Sequence, residues 1–144
     1  MTISVVIPVY NVEKYLEKCL ESVKSVEEIV ICDMYSTDST IEIAQKYGAK
    51  IVYHENLGFA DPARNFALSQ ATQDWILVLD SDEIVTKELL DYLRAYIENH
   101  NPALEVLYLP RKNILLGKVL WSWYPNNIIR FFRNGNVSFD EKVH

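Results

Sequence analysis

Ile3-Ser-Val-Val-Ile-Pro-Val9 is apolar at almost every position. A strand with one wet face would alternate polar and apolar residues. A continuous apolar run instead predicts a strand covered on both faces, as in a parallel sheet. Short apolar runs return at 28–32, 49–53 and 75–79, with amphipathic stretches between them. Asn11 reads as a helix cap, followed by Val12, Tyr15, Leu16, Cys19, Leu20 and Val23 at helical spacing. Ser36, Thr37 and Asp38 offer cap oxygens to a helix through Tyr47, which Gly48 ends. Asp61-Pro62 starts a third helix that runs to Ala71, and Thr86 caps a fourth carrying Leu89, Leu90, Leu93 and Ile97. Strands alternating with helices predict an α/β fold, a mostly parallel sheet flanked by helices.

After Pro102 the character changes. Strands are predicted over 104–109 and 128–132, with a hairpin turn at 115–118 and another turn at Asn134-Gly135. This C-terminal portion reads as antiparallel and rich in aromatic residues. A length of 144 residues suits one domain with one core, here with a first half over 1–101 and a second over 102–144. The net charge of −6 argues against nucleic acid as a partner, since phosphate-backbone binders present a basic face. No run approaches the length of a membrane span and nothing at the start reads as a signal peptide, so the reading is a cytoplasmic protein. Cys19 and Cys32 lack metal-site spacing and read as buried reduced thiols.

Function is concentrated where the apolar runs end. Trp75-Ile-Leu-Val-Leu runs straight into Asp80-Ser-Asp82-Glu83. Two residues apart in an extended segment, Asp80 and Asp82 would leave on the same side. Carboxylates held that close repel unless a cation lies between them, and oxygen-only ligands suit Mg²⁺ or Mn²⁺. Tyr10 and Asn11 follow the first strand and Asp33 ends the second. Ligands of open α/β sheets bind outside the carboxyl ends of the strands, so these groups converge on one crevice. Arg64 falls in the first turn of a helix, where the macrodipole disfavours a cation, so it needs an anion. Asp61, Asp80 and a bound diphosphate are all candidates, and Asn65 beside it is either a surface polar residue or a loop-fixing hydrogen-bonder. Neither G-x-G-x-x-G nor G-x-x-x-x-G-K occurs, so a phosphate-binding glycine loop is not indicated. His54, His100 and His144 are scattered.

With these residues in view, the chain resembles family-2 glycosyltransferases of the GT-A fold, and within them the bacterial lipopolysaccharide-core glucosyltransferase branch. The resemblance rests on 3–11, on Asp33 with Ser36-Thr-Asp-Ser-Thr40, and on Gly58-Phe-Ala with Arg64-Asn-Phe-Ala-Leu68. It continues through 75–83, Trp123-Tyr-Pro, Arg130-Phe-Phe-Arg133 and Val143-His144. It implies a nucleoside-diphosphate sugar donor, most simply a UDP-sugar. Pro8, Tyr10 and Asn11 would line the nucleotide site, Asp33 would accept from the base, and Asp80 would lie near the ribose or Arg64. Arg64 would hold Asp80 or the phosphates, and Asp82 with Asp80 would form the metal site for Mn²⁺ or Mg²⁺. The chain departs from the family in Met34 and Tyr35 after Asp33 and in Ser39 where glycine is common. That branch also carries a glutamate after the valine-histidine pair, and this sequence stops at His144, as a truncated catalytic domain would.

The resulting expectation is inverting, metal-dependent sugar transfer to a saccharide or lipid-linked acceptor in cell-envelope glycan synthesis. Glu141 and His144 are the candidate bases within the chain, the missing glutamate being a better one. Trp121, Trp123 and Tyr124 either stack on an acceptor sugar or pack a hairpin. Apolar surface near Phe131, Phe132 and Phe139 is compatible with self-association, and an envelope acceptor with peripheral association at the inner membrane face. The alternatives are a non-catalytic nucleotide-sugar-binding module and a nucleotidyltransferase, the latter disfavoured by the absence of a glycine-rich basic loop after the first strand.

Overall fold

The computed structural model describes residues 1–58, 60–99, 105–111, 114–115, 118–119 and 126–137. The first half alternates as the sequence predicts. Its elements are β1 (Ile3–Val9), α1 (Leu16–Val23), β2 (Glu28–Asp33), α2 (Thr40–Lys46), β3 (Lys50–Tyr53), α3 (Asp61–Gln70), β4 (Trp75–Val78) and α4 (Lys87–Glu98). The second half contributes β5 (Val106–Arg111), β6 (Ile114–Leu115), β7 (Lys118–Val119) and β8 (Asn126–Arg133). Six strands form one sheet in the order β3-β2-β1-β4-β8-β5. The pairs β3–β2, β2–β1 and β1–β4 are parallel, and β8 runs antiparallel to both β4 and β5. β6 and β7 form a separate antiparallel pair, as the predicted hairpin requires.

Every residue of β1 is buried, and its two faces feed different cores. Ile3, Val5, Ile7 and Val9 pack with Leu16, Cys19, Leu20 and Val23 of α1 and with Leu90, Leu93 and Ile97 of α4. Val6, with Val30, Cys32 and Val78 of neighbouring strands, packs against Ala63, Ala67 and Leu68 of α3. The period of two along each strand thus sorts side chains to opposite faces. Ser4, buried in the same run, donates to Glu28 Oε1 at 2.7 Å and accepts from Gln73 N at 3.2 Å.

β8 joins the sheet through aromatic packing. Trp75 and Phe131 are fully buried and stack with centroids 5.2 Å apart, while Tyr96 of α4 meets Trp75 edge-on at 5.9 Å. β5 lies at the sheet edge, which is where a strand can contain Pro110. No helix among the described residues is long and apolar enough to cross a membrane.

The structure corrects two details near β1. α1 begins at Leu16, with Tyr15 at its N-cap and no side-chain capping bond, and Tyr15 is exposed rather than part of the buried stripe. Asn11 is therefore not a cap. It adopts φ +49°, and its Oδ1 accepts from Thr37 N at 2.7 Å while its own N donates to Ser36 Oγ at 2.9 Å. Further bonds run from Val12 N to Thr40 Oγ1 and from Ser39 N to Glu13 Oε2, locking the β1–α1 loop to the β2–α2 loop. Thr86 does cap α4, accepting from Leu89 N.

A loop clamp and a helix cap respond differently to substitution. Asn11→Ala should cost about 1–3 kcal/mol, losing both the Thr37 bond and a residue tolerant of positive φ. Asn11→Gly keeps the backbone conformation and should cost about 1 kcal/mol. Urea unfolding of the two variants checks the ordering, and equal losses would discard the conformational part.

Candidate functional site

From β1 the chain moves outward through β2 to β3, then returns to place β4 on the other side of β1. This reversal of strand order is where open α/β sheets bind ligands. Val9 aligns with Asp33 and Val6 with Val78, so the ends of β1, β2 and β4 share one edge. Tyr10, Asp33 and Asp80 stand on that edge, Tyr10 exposed and Pro8 and Asp33 buried.

The segment after β4 is a turn. Glu83 N donates to the Asp80 carbonyl at 3.0 Å, and Asp80 N donates to Glu83 Oε1 at 2.6 Å. β4 ends at Val78, so the extended geometry expected to project Asp80 and Asp82 together does not exist. Asp80 turns toward α3, where Arg64 Nη2 donates to its Oδ1. Of the anions open to Arg64, Asp80 is one that it meets in the structure. Asp82 is exposed and has no hydrogen-bond partner among the described residues.

A second guanidinium completes the clasp. Arg130 Nη2 lies 3.3 Å from Asp80 Oδ2 and 3.2 Å from Glu83 Oε1. Arg130 is buried, and its Nε has no partner among the described residues. Its position follows from a β-bulge: Leu107 pairs with Phe131 and Tyr108 with Ile129, so Arg130 is passed over. Bulges redirect side chains next to functional sites. The Arg130-Phe-Phe-Arg133 motif supplied the resemblance without a role for Arg130. The available signal was one cation inside the apolar stretch 128–132.

Burial pushes the Asp80 carboxyl up, but the charges of Arg64 and Arg130 outweigh it and hold it below its ordinary value. Cys19 lies beneath the same turn, its Sγ 3.7 Å from the Asp80 carbonyl oxygen. Burial first, then the charges of Glu83, Asp82 and Asp80, push its thiol up to about 12. Burial, with a contribution from Asp33, takes Cys32 to about 11.

Asp33 anchors the neighbouring loop. Its Oδ2 accepts from Ser36 N at 3.0 Å and its Oδ1 from Ser36 Oγ at 2.6 Å. The residue is only 1% exposed, so a ligand reaches the carboxylate only if the turn around it moves aside. Tyr35, inside this turn, has φ +63°, a conformation costing a non-glycine residue about 1–2 kcal/mol. Asn65 is half-buried on α3. Glu141, His144, Trp121, Trp123, Tyr124, Phe139 and His100 lie outside the described residues.

A divalent ion is implied by the GT-A resemblance. Among the described residues no three His, Cys, Asp or Glu side chains gather into a metal cage. One exposed, unpartnered carboxylate does fit an ion whose remaining ligands are substrate phosphates and water, and Asp82 is that carboxylate. Asp80 is already engaged by two arginines.

A switch point with acidic residues at the strand ends, on a sheet that is parallel save for an inserted antiparallel strand, is the build of the GT-A glycosyltransferases. The family model "Glycosyl transferase family 2" matches residues 4–143, and the chain belongs to that family. The poly(ribitol-phosphate) β-N-acetylglucosaminyltransferase TarS of Staphylococcus aureus is 35% identical over 173 aligned residues, covering 99% of this chain and 30% of that one. A crystal structure of TarS 1–349 in complex with UDP-GlcNAc superposes with a TM-score of 0.70 at 34% identity, over 82% of this chain and 36% of that one. Glycosyltransferase GlyG of Streptococcus pneumoniae is 33% identical over 105 residues, 67% of this chain and 35% of that one. Glucosyl-3-phosphoglycerate synthase of Mycobacterium tuberculosis, solved with Mn²⁺, UDP and glucosyl-3-phosphoglycerate, shares the fold at 24% identity and a TM-score of 0.61, over 73% of this chain and 42% of that one. The chain therefore spans about a third of the length of the curated relatives it matches.

Two measurements test the electrostatics. Asp80→Asn leaves Arg64 and Arg130 short of an anion. It should cost about 2–3 kcal/mol near neutral pH, less than breaking a fully buried pair because the side chain is 29% exposed. The folded carboxyl titrates below its unfolded value of about 3.9, so this contribution is complete above that pH and fades as pH falls through the folded value. The gap between wild type and Asp80→Asn should accordingly narrow in acid, and a gap that widens would reverse the assignment. Separately, both thiols should resist a thiol reagent at pH 8 until the protein unfolds, because thiolate is the reactive form.

Proposed function

We propose that this domain binds a nucleoside-diphosphate sugar, in the first instance a UDP-sugar, across the carboxyl ends of β1, β2 and β4. The sugar then passes with inversion to a saccharide or lipid-linked acceptor of the cell envelope. The observation that carries this reading is the division of labour at residues 80–83: Asp80 is clasped by Arg64 and Arg130 while Asp82 stays exposed and unpartnered among the described residues. The likeness to TarS in complex with UDP-GlcNAc supports the choice of donor.

Each residue then has a distinct job. Tyr10 and Pro8 line the nucleotide site, with the exposed Tyr10 ring against the base. Ser36 occupies part of the Asp33 carboxylate, and once the turn shifts aside the remaining lone pairs accept a uracil N3–H. Asn11 keeps the loop above β1 in place through Thr37 and Ser36. Arg64 and Arg130 fix the turn through Asp80, so Asp82 is held in position before the ligand arrives. A divalent ion held there by Asp82 and the diphosphate would neutralise charge on the leaving group. The acceptor hydroxyl loses its proton to a base, for which Glu141 and His144 are the candidates within these residues. The lipopolysaccharide-core acceptor suggested by the resemblance is one member of the proposed acceptor class, and the site of action is the cytoplasm at the inner membrane face.

Titration calorimetry with UDP, with and without Mn²⁺, tests the reading. Wild type should bind UDP more tightly with the ion. In Asp82→Ala that metal-dependent gain should vanish while the melting temperature holds, because the side chain has no partner among the described residues to lose. A folded Asp82→Ala with undiminished metal-dependent affinity would remove Asp82 from the site. Wild type that binds neither UDP nor the ion would overturn the reading itself.

A further inference from the structure

Among the described residues two non-glycine positions have positive φ, Asn11 and Tyr35. Asn11 is accounted for by its side-chain and main-chain bonds to the adjacent loop. Tyr35 has no such account. It occupies the third position of the turn that Asp33 and Ser36 close, a position whose positive φ favours glycine. Burial does not compensate, because Tyr35 is 62% exposed. Its ring stacks on Tyr53, with centroids 5.5 Å apart and planes 26° apart, and Tyr53 is itself 47% exposed. Strained backbone persists where surrounding structure and function hold it, and such positions cluster at ligand sites.

The location of the pair indicates the ligand. Tyr53 is the direct register partner of Asp33 across β2 and β3, and Tyr35 is two residues beyond Asp33. The two rings therefore stand at the same sheet edge as Asp33, on the side away from β1. Exposed stacked rings offer a flat apolar surface, which suits a planar heterocycle rather than a phosphate or an ion. We infer that Tyr35 and Tyr53 form an aromatic wall of the nucleotide site that packs on the pyrimidine ring of the donor and makes binding depend on the base. This rests on the nucleotide-sugar reading above, and it assigns specificity to two residues that the sequence motifs leave without a role.

The test compares UDP with inorganic pyrophosphate, both with Mn²⁺, on wild type, Tyr35→Gly and Tyr35→Phe. Glycine relieves the backbone, so Tyr35→Gly should melt at or above the wild-type temperature. It should nevertheless bind UDP roughly 5- to 50-fold more weakly, the range expected for losing one base–aromatic stack. Pyrophosphate affinity should be unchanged, and Tyr35→Phe should match wild type for both ligands. A stable Tyr35→Gly that binds UDP as wild type does overturns the inference and leaves the donor reading standing. Equal losses for UDP and pyrophosphate also overturn it, since they would show a disturbed turn rather than a lost base contact. Wild type that binds neither ligand overturns the donor reading and the inference together. Should Tyr35→Gly lose its fold, Tyr53→Leu carries the same comparison, with the same selective loss expected for UDP.

Discussion

Arg130 meeting Asp80 and Glu83 is the contact on which the site depends. It draws together three pieces of chain that are far apart in sequence. Asp80 and Glu83 lie on the turn after β4, Arg64 reaches Asp80 from α3, and Arg130 comes from β8. Without the two cations, Asp80, Asp82 and Glu83 would crowd three carboxylates into four residues. With them, Asp80 stays ionised despite partial burial and the turn closes on itself. The arginines thus act on Asp82 indirectly, by fixing the backbone that carries it.

The two sides of the candidate site are built on different physics. The β4 side relies on charge in a partly buried setting, where each partner removed leaves an uncompensated ion. The β2 side relies on neutral and charge-assisted hydrogen bonds among short polar side chains: Asn11, Asp33, Ser36, Thr37, Asp38 and Thr40. Those bonds hold two loops in a conformation that includes positive φ at Asn11. In the proposed function the first side would manage a diphosphate and an ion, and the second would present a shaped surface to a base.

β8 also has two roles. Phe131 stacks on Trp75 and Phe132 packs with Val6, Ile76 and Val78 on the other face, so the strand completes both cores at once. Between that packing and the β5 ladder lies the bulge that leaves Arg130 free to turn toward Asp80. The strand that closes the sheet therefore also delivers a side chain to the site.

Much of this was legible in the chain. Continuous apolar runs required strands buried on both faces, and Gly48, Pro62 and Thr86 marked helix boundaries close to where they occur. The acids at the end of β2 and just after β4 stand at one sheet edge, because a strand's last residues must emerge there. These are local properties, set by periodicity and backbone geometry within a few residues. What only the tertiary structure decided was which groups meet across long stretches of sequence. Asn11 looked like a cap because caps and loop clamps use the same short polar side chain, and only the nearness of Thr37 separates them. Asp80 and Asp82 looked equivalent until the chain turned after Val78 and the Arg64 and Arg130 guanidiniums claimed one of them. Arg130 in turn depends on β8 inserting between β4 and β5, an arrangement fixed by packing two cores simultaneously and therefore absent from any local pattern of residues.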